Sequence, residues 1–334
     1  MTAWQSMQTR LHLYRFLWNR RWLGRRIGRQ LYKALGKHGQ APDAPFTTDF
    51  FGLRYQGNLR NSIEFNIFHY GAFEKPLLFF LRDTVLATAN DQAVFCDIGA
   101  NIGQHSLFLA RHVAQVHAFE PYRPVSDKLR LQIELNHLTN IHIHDVGLSD
   151  QAGKLPFYAP TGRNQGIGSF DAGTVSKGNK AIGELELVRG DDYFKEQGIQ
   201  RVDLMKIDVE GFEKPALAGL NETLRRFRPV IVCELSYGKA LSFTSLDELQ
   251  TALPPDYGLF TFDNRKADGS KARRQGAKAR RSGQYRLIPF HFTQTQGQDD
   301  IVACPREQQQ TLPLSTLGQE IRNTGQVLRT KKMA

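Results

Sequence analysis

The feature that most constrains this chain is an alternation that begins at Val94. Short apolar runs, "VFCDI" (94–98), "VHAFE" (116–120), "IHIHDV" (141–146), "VDLMKID" (202–208) and "PVIVCEL" (229–235), alternate with stretches of helical period. The helical runs fall at 104–113, 124–137 and 215–227. A strand that is apolar on both faces must be covered on both faces, and parallel strands need helical crossovers to return the chain to the same edge. The pattern therefore predicts an α/β fold with a mostly parallel sheet and helices on both sides. "YGLFTFD" and "DDIVACP" read as two further strands, separated by a long insertion. With 334 residues, the chain is expected to form one large domain with appendages.

Local punctuation supports the helices. Pro215 suits a first helical turn, Arg225, Arg226 and Arg228 sit where the negative end of the helix dipole favours cations, and Pro229 stops the run. "SLDELQTAL" from Ser245 carries the Ser-x-x-Glu capping pattern. Ahead of the alternating region, "FGLRYQG" and "SIEFNIF" read as strand-like pieces and "EKPLLFFLRDTVLATA" as a helix. The resulting division is a basic N-terminal helix and linker at 1–41, an N-terminal lobe at 42–90, the main domain at 91–305 with a basic insertion at 264–283, and a polar, Gln-rich tail from 306 to 334 that is expected to be peripheral or disordered.

Charge is unevenly spread. Residues 1–42 hold nine Lys or Arg and no acid, and Arg265 to Arg281 holds eight basic residues against the single acid Asp268. Together these segments carry +16, more than the chain's net +11, so the remainder is mildly acidic. In the first segment Leu23, Ile27, Leu31 and Leu35 stand four apart among arginines, with Phe16, Trp18 and Trp22 as interfacial anchors. That is a basic amphipathic helix, suited either to an anionic membrane surface through residues 10–37 or to packing on the main domain. No run approaches the roughly 20 apolar residues that span a bilayer, and no secretory signal is evident, so a cytoplasmic location is expected, with peripheral contact at the inner face of the membrane. Three cysteines without metal-type spacing argue against a disulfide framework or a zinc site.

In an open parallel sheet, ligands bind beyond the carboxyl ends of the strands, where strand order reverses. The turn "DIGANIG" lies there if "VFCDI" is the central strand. A dinucleotide site requires G-x-G-x-x-G, whose middle glycine admits the pyrophosphate; here the spacing is Gly99-x-x-x-Gly103, with Asn101 in the gap. Glu120 and Asp145 end the next two strands, so Asp97, Glu120 and Asp145 would line one crevice with acceptors. Such a crevice suits a positively charged nucleoside and repels phosphates. Taken singly, each acid also reads as a helix cap or turn residue.

The turn "DIGANIG", "FEP" at 119–121, "GLSD" at 147–150 and "KIDVEGFE" at 206–213 together resemble the FkbM family of S-adenosylmethionine-dependent methyltransferases, over about Phe51 to Glu234. The resemblance implies a Rossmann-like class I methyltransferase fold, with seven strands in the order 3-2-1-4-5-7-6 and the last antiparallel. That order would separate Cys96 from Cys233 by about 9.6 Å, two inter-strand spacings, beyond the roughly 7 Å limit for a disulfide. It implies S-adenosyl-L-methionine as cofactor. Asp97, Gly99, Asn101 and Gly103 would surround its amino-acid part, Glu120 its ribose and Asp145 its adenine amine. It also favours O-methylation of a glycan, glycolipid or related metabolite hydroxyl.

For catalysis, Asp208 and Glu210 at the end of the fourth strand face the crevice. Asp208 is the preferred general base and Glu210 a ligand for the acceptor hydroxyl; Glu210 and Glu213 also read as complements to the positive end of the following helix. His105 is a second candidate base or else a polar residue lining its helix. The Gly-rich stretch between the third and fourth strands, with Asn164, Gln165 and Ser169, is placed to close over an acceptor. Two neighbouring carboxylates can hold Mg²⁺, though nothing else in the sequence specifies a metal. The competing reading is a basic protein that binds nucleic acid or a membrane surface on a methyltransferase-like scaffold. The second basic cluster has no interleaved aromatics and reads as a flexible, solvated loop or as a contact for an anionic acceptor, and "DVEG" stands where base-methylating enzymes carry an Asn-Pro-Pro-Tyr type sequence, so nucleic acid is disfavoured.

Overall fold

A computed structural model describes residues 16, 43–88, 92–160, 168–238, 241–266, 268–294 and 296–316. The basic segment 10–37, apart from Phe16, lies outside the described residues, as do Asn164 and Gln165. A two-stranded hairpin, β1 (Pro45–Phe50) and β2 (Leu53–Asn58), opens the described chain. Asn61 then accepts hydrogen bonds from the Ile63 and Glu64 amides and so starts α1 (Ser62–Tyr70). This cap is why "SIEFNIF" is a helix and not the expected strand: the Asn side chain satisfies amides that an extended chain would have to pair elsewhere. Helix α2 (Lys75–Thr88) follows, close to its expected bounds.

The main domain runs β3 (Val94–Ile98), α3 (Gln104–Leu109), β4 (Gln115–Phe119), α4 (Arg123–Asn136) and β5 (Ile141–His144). A small three-stranded sheet comes next: β6 (Gly147–Ser149), β7 (Gly153–Pro160) and β8 (Asn179–Arg189). Helix α5 (Gly190–Glu196) leads to β9 (Leu204–Ile207), and α6 (Glu213–Ala218) and α7 (Asn221–Phe227) lead to β10 (Val230–Tyr237). The remaining elements are α8 (Leu246–Ala252), β11 (Tyr257–Phe262), α9 (Arg273–Ser282), β12 (Leu287–Pro289) and β13 (Gly297–Pro305).

The large sheet has the spatial order β5-β4-β3-β9-β10-β13-β11-β12. The first five are parallel, and β13 is antiparallel to both β10 and β11. Its first seven strands reproduce the order 3-2-1-4-5-7-6, and the insertion adds β12 as an eighth strand beside β11. Adjacent residues of one strand feed opposite cores. Phe95 packs with Leu78, Phe80, Phe108 and Leu129 of α2, α3 and α4, whereas Cys96 packs with Phe194, Met205, Leu217 and Leu224 on the other face. All three cysteines are buried free thiols.

Three further expectations are corrected. The helix expected at 215–227 is two short helices, because the chain at Gly219 passes the Ser149 carbonyl so closely that a Cβ would sit 1.8 Å from its oxygen. The Asp191 carboxylate then starts α7 by accepting from the Glu222 and Thr223 amides. The basic insertion is not merely a solvated loop: α9 ends at Gly283 (φ +74), whose α-carbon lies against the Phe79 ring of α2. The tail is tied down as far as residue 316, with Glu307 paired to Arg228, Leu312 buried and Ser315 bridged to Arg286.

Candidate active site

A cavity of about 260 Å³ opens at the carboxyl ends of β3, β4, β9 and β10. Its first half is built around the turn after β3. The amides of Gly99 and Ala100 both donate to the Phe119 carbonyl, at 3.0 and 2.9 Å, which stitches the turn to β4. Gly99 has φ +77, and a Cβ there would lie 1.9 Å from the Asp208 carbonyl oxygen, so no other residue fits. Asn101 takes φ +54, a conformation Asn tolerates better than most, and its side chain accepts from the Ile102 amide.

Glu120 is the central group of this half. Its two oxygens accept from the Asn101 and Tyr122 amides, each at 3.0 Å, and only 8% of its surface is exposed. Burial pushes its carboxyl up to about 7, against the opposing pull of those two amides. Phe119, Tyr122, Val125, Val146, Leu148 and Phe157 supply an apolar wall beside it. The combination, a carboxylate with open lone pairs next to a flat apolar wall and, among the described residues, no phosphate-binding cation in this half, fits a ribose and a purine without a phosphate.

Charge dominates the second half. Lys206 lies on β9, 3% exposed, with its ammonium 3.0 Å from Asp208 Oδ2 and 4.0 Å from Asp97 Oδ1. Burial opposes its charge, but the carboxylates of Asp208, Asp97 and Glu74 outweigh burial and raise its pKa. Glu74, with φ +46 just before α2, is pushed up to about 8, first by burial and then by Asp300 and Asp208. Glu234 of β10 accepts from the Gln298 amide at 2.8 Å, and burial followed by Asp208 and Glu210 holds its carboxyl well above the usual range.

His105 is 6% exposed; its Nε2 has no hydrogen-bond partner and stands 3.8 Å from Glu74 Oε2. Burial and the nearby Lys206 keep its imidazole neutral. Glu213, fully buried, accepts from the Val209 and Gly211 amides and shapes the turn in which Glu210 adopts φ +54. Ser169 Oγ ties the Gly-rich segment to that turn by donating to the Glu210 carbonyl at 3.0 Å. Oxygens of Asp208, Glu213 and Glu234 lie within 4.8 Å of one another, close enough for a divalent cation, but Lys206 already places a positive charge on Asp208.

Of the residues singled out in the sequence, Gly99, Asn101, Glu120, Asp208 and Glu210 line the cavity together. Asp97 does not. It is wholly buried, its Oδ2 accepts from Ser106 Oγ at 2.6 Å, and it stands behind Lys206, where it balances the ammonium. Gly103 is also outside: it starts α3 with φ +77, and its missing Cβ makes room for Leu129. Asp145 turns away from the crevice to Arg130, at 2.5 Å, and Arg123, at 3.4 Å, while Ser126 donates to its other oxygen. Val146, Gly147 and Leu148 form the cavity wall in its place.

Sequence reading overlooked Glu74, Lys206, Glu234 and Gln298. A lone Lys within "LMKI" and a lone Glu within "VIVCEL" were available signals, since a charge in a doubly covered strand demands a partner. Glu74 and Gln298 carry no such mark.

Residues 97–258 match the methyltransferase FkbM domain. Methyltransferase sdnD of Sordaria araneosa is 32% identical over 157 residues, covering 38% of this chain and 60% of sdnD. The 2-O-methyltransferase NoeI of Sinorhizobium fredii is 26% identical over 160 residues, covering 44% of this chain and 65% of NoeI. The 31-O-demethyl-FK506 methyltransferase FkbM of Streptomyces tacrolimicus is 30% identical over 156 residues, with 39% and 60% covered. The chain thus spans about three fifths of the length of the curated relatives it matches. The crystal structure of methyltransferase FkbM from Methylobacillus flagellatus KT aligns with a TM-score of 0.39 and 16% identity, over 64% of this chain and 44% of that one.

Proposed function

We propose, from the match of residues 97–258 to the methyltransferase FkbM domain, that the chain is an S-adenosylmethionine-dependent O-methyltransferase acting on a hydroxyl of a glycan, glycolipid or related metabolite. The observation that supports this most is Glu120, a buried carboxylate held by two backbone amides beside an apolar wall. A ribose diol is the group that donates two hydrogen bonds to one such carboxylate. The absence of phosphate-binding cations among the described residues of that half favours a nucleoside over a nucleotide. The named activities of the 2-O-methyltransferase NoeI and of the 31-O-demethyl-FK506 methyltransferase FkbM favour oxygen as the acceptor atom.

S-Adenosylmethionine supplies, when bound, a methyl group already activated on a sulfonium. The chain's work is then alignment, where proximity and orientation contribute about 7 to 11 kcal/mol, and removal of the hydroxyl proton. Glu120 binds the ribose, and the turn from Gly99 to Asn101 holds the amino-acid part by close backbone approach. Asp208, paired with the Lys206 ammonium at 3.0 Å, takes the proton of the acceptor hydroxyl, and Glu210 orients the acceptor across from it. Asp97 and Glu213 act through others, by balancing Lys206 and by bracing the turn that bears Glu210.

The decisive experiment joins calorimetric binding of S-adenosylmethionine with transfer of labelled methyl into glycan and lipid extracts. Glu120→Ala should weaken cofactor binding about 100-fold or more, since each hydrogen bond to a charged group contributes about 1.5–3 kcal/mol. No binding by the unaltered chain at millimolar cofactor sinks the reading. Contact of residues 10–37 with an anionic membrane is a separate proposal; equal sedimentation on anionic vesicles of the full chain and of a chain starting at Pro42 refutes it. No helix among the described residues is long and apolar enough to cross a membrane.

A further inference from the structure

Among the described residues, five carboxylates, Glu74, Glu120, Asp208, Glu210 and Glu234, line the cavity against one cation, Lys206. Glu120 serves the nucleoside half, and Lys206 is taken up by Asp208 and Asp97. Among the described residues no Lys or Arg reaches Glu74 or Glu234 within ion-pair distance: Glu74 has His105 at 3.8 Å, and Glu234 receives the uncharged Gln298 amide. S-Adenosylmethionine brings a net charge of only one, and among the described residues Glu74 and Glu234, held well above the usual carboxyl range, keep protons near pH 7 that a second bound cation can displace.

A second observation lies beside Glu74. His105 lines this cavity, and its Nε2 is buried with no hydrogen-bond partner, a costly state that a ligand's donor can relieve. At 3.8 Å, Nε2 and Glu74 Oε2 are too far apart to bond each other, but one donor centre seated between them can reach both. A neutral imidazole protonated at Nδ1 offers Nε2 as an acceptor. A hydroxyl has a single proton to give, so it serves both only while Glu74 keeps its own proton and donates back. A primary ammonium has three, and its charge answers the surplus of carboxylates.

On the reading that this cavity is a methyl-transfer site, we propose that the acceptor carries a primary ammonium group near the methylated hydroxyl, seated between His105 and Glu74. Amino sugars and amino alcohols satisfy this description; uronic acids and phosphate esters oppose it. Seating the cation also has a protonic consequence. Glu74 faces Asp300, Asp208 and Glu210, which with burial hold its carboxyl up near 8, and Lys206, which works the other way. An ammonium at His105 lowers that value, so binding near pH 7 releases a proton from Glu74.

The test uses the full chain saturated with S-adenosylhomocysteine and three sugars that differ at one position: methyl 6-amino-6-deoxyglucoside, methyl glucoside and methyl glucuronoside. Calorimetry at pH 7 in two buffers of unlike ionisation enthalpy reads affinity and proton release together. The amino sugar should bind at least about tenfold tighter than the other two, as one charge-assisted hydrogen bond permits, and should release protons. Glu74→Gln should abolish both the preference and the release while leaving S-adenosylhomocysteine affinity unchanged. Equal or tighter binding of the neutral or acidic sugar, no binding of the amino sugar, or a preference that survives Glu74→Gln overturns the proposal. Failure of S-adenosylhomocysteine itself to bind would instead remove the methyl-transfer reading beneath it.

Discussion

The two halves of the cavity are built on different principles. The nucleoside half uses three neighbouring strand ends, 98–102, 119–122 and 146–148, and is held by backbone amides that bond a carboxylate and a carbonyl. The acceptor half gathers Glu74 from the N-terminal lobe, His105 from α3, Lys206 and Asp208 around the end of β9, Glu234 from β10 and Gln298 from β13. It is held by charge opposing charge. The first half has a shape that is fixed when the sheet forms. The second holds carboxyls whose protonation depends on their neighbours and on pH.

Removing the central charge of the acceptor half should have the largest effect. Lys206→Met strands Asp97 as a wholly buried carboxylate beside Asp208, and a broken buried pair costs about 3–5 kcal/mol. Urea unfolding measures this, and a loss below about 1 kcal/mol would mean that the acceptor half is not held by charge.

Gly99→Ala attacks the nucleoside half through sterics alone. With φ +77 and a contact of 1.9 Å to a carbonyl oxygen, the backbone must shift, at a cost of about 2–3 kcal/mol in thermal unfolding.

A smaller effect separates the halves by pH. Glu74 and Glu120 have raised values, about 8 and about 7, so the folded chain holds protons that the unfolded chain gives up near 4.5. Their contribution is fully present below pH 4.5 and is lost as pH rises through the folded values. Glu74→Gln should therefore raise the melting temperature more at pH 9 than at pH 5, and equal shifts at both would contradict the assigned direction.

Asp145→Asn should do least. Its partners Arg123 and Arg130 are surface groups, so stability should fall by less than about 1 kcal/mol and cofactor affinity should stay within about twofold. A large loss of affinity would return Asp145 to the crevice.

The same contrast explains what could be read from the sequence. The parallel strands and the glycine turn were legible because apolar runs and a turn are local patterns, and Glu120 followed from its place at a strand end. Asp145 occupies the equivalent place one strand over, yet Arg123 and Arg130 of α4 draw its carboxylate outward, and strand position alone carries no sign of that. "SIEFNIF" has the alternation of a strand, and one side chain, Asn61, decides for helix. The run from Arg273 to Ser282 looks like a solvated loop because Gly276 and the alanines interrupt it; the surface of α2 supplies the packing that makes it a helix. Glu74 was beyond reach, since its place in the cavity depends on how a separate lobe docks against the sheet.

Helix α9 rests on the first turn of α2, where the Lys75 ammonium donates to the Arg281 carbonyl and Phe79 meets Gly283. Lys278 and Arg280 of α9 face solvent, and the residue before Lys75 is Glu74. The most basic exterior of the described chain and its most acidic interior are thus joined through a single peptide link. The helix that the insertion contributes therefore braces the start of α2 right beside the residue that carries a cavity carboxyl.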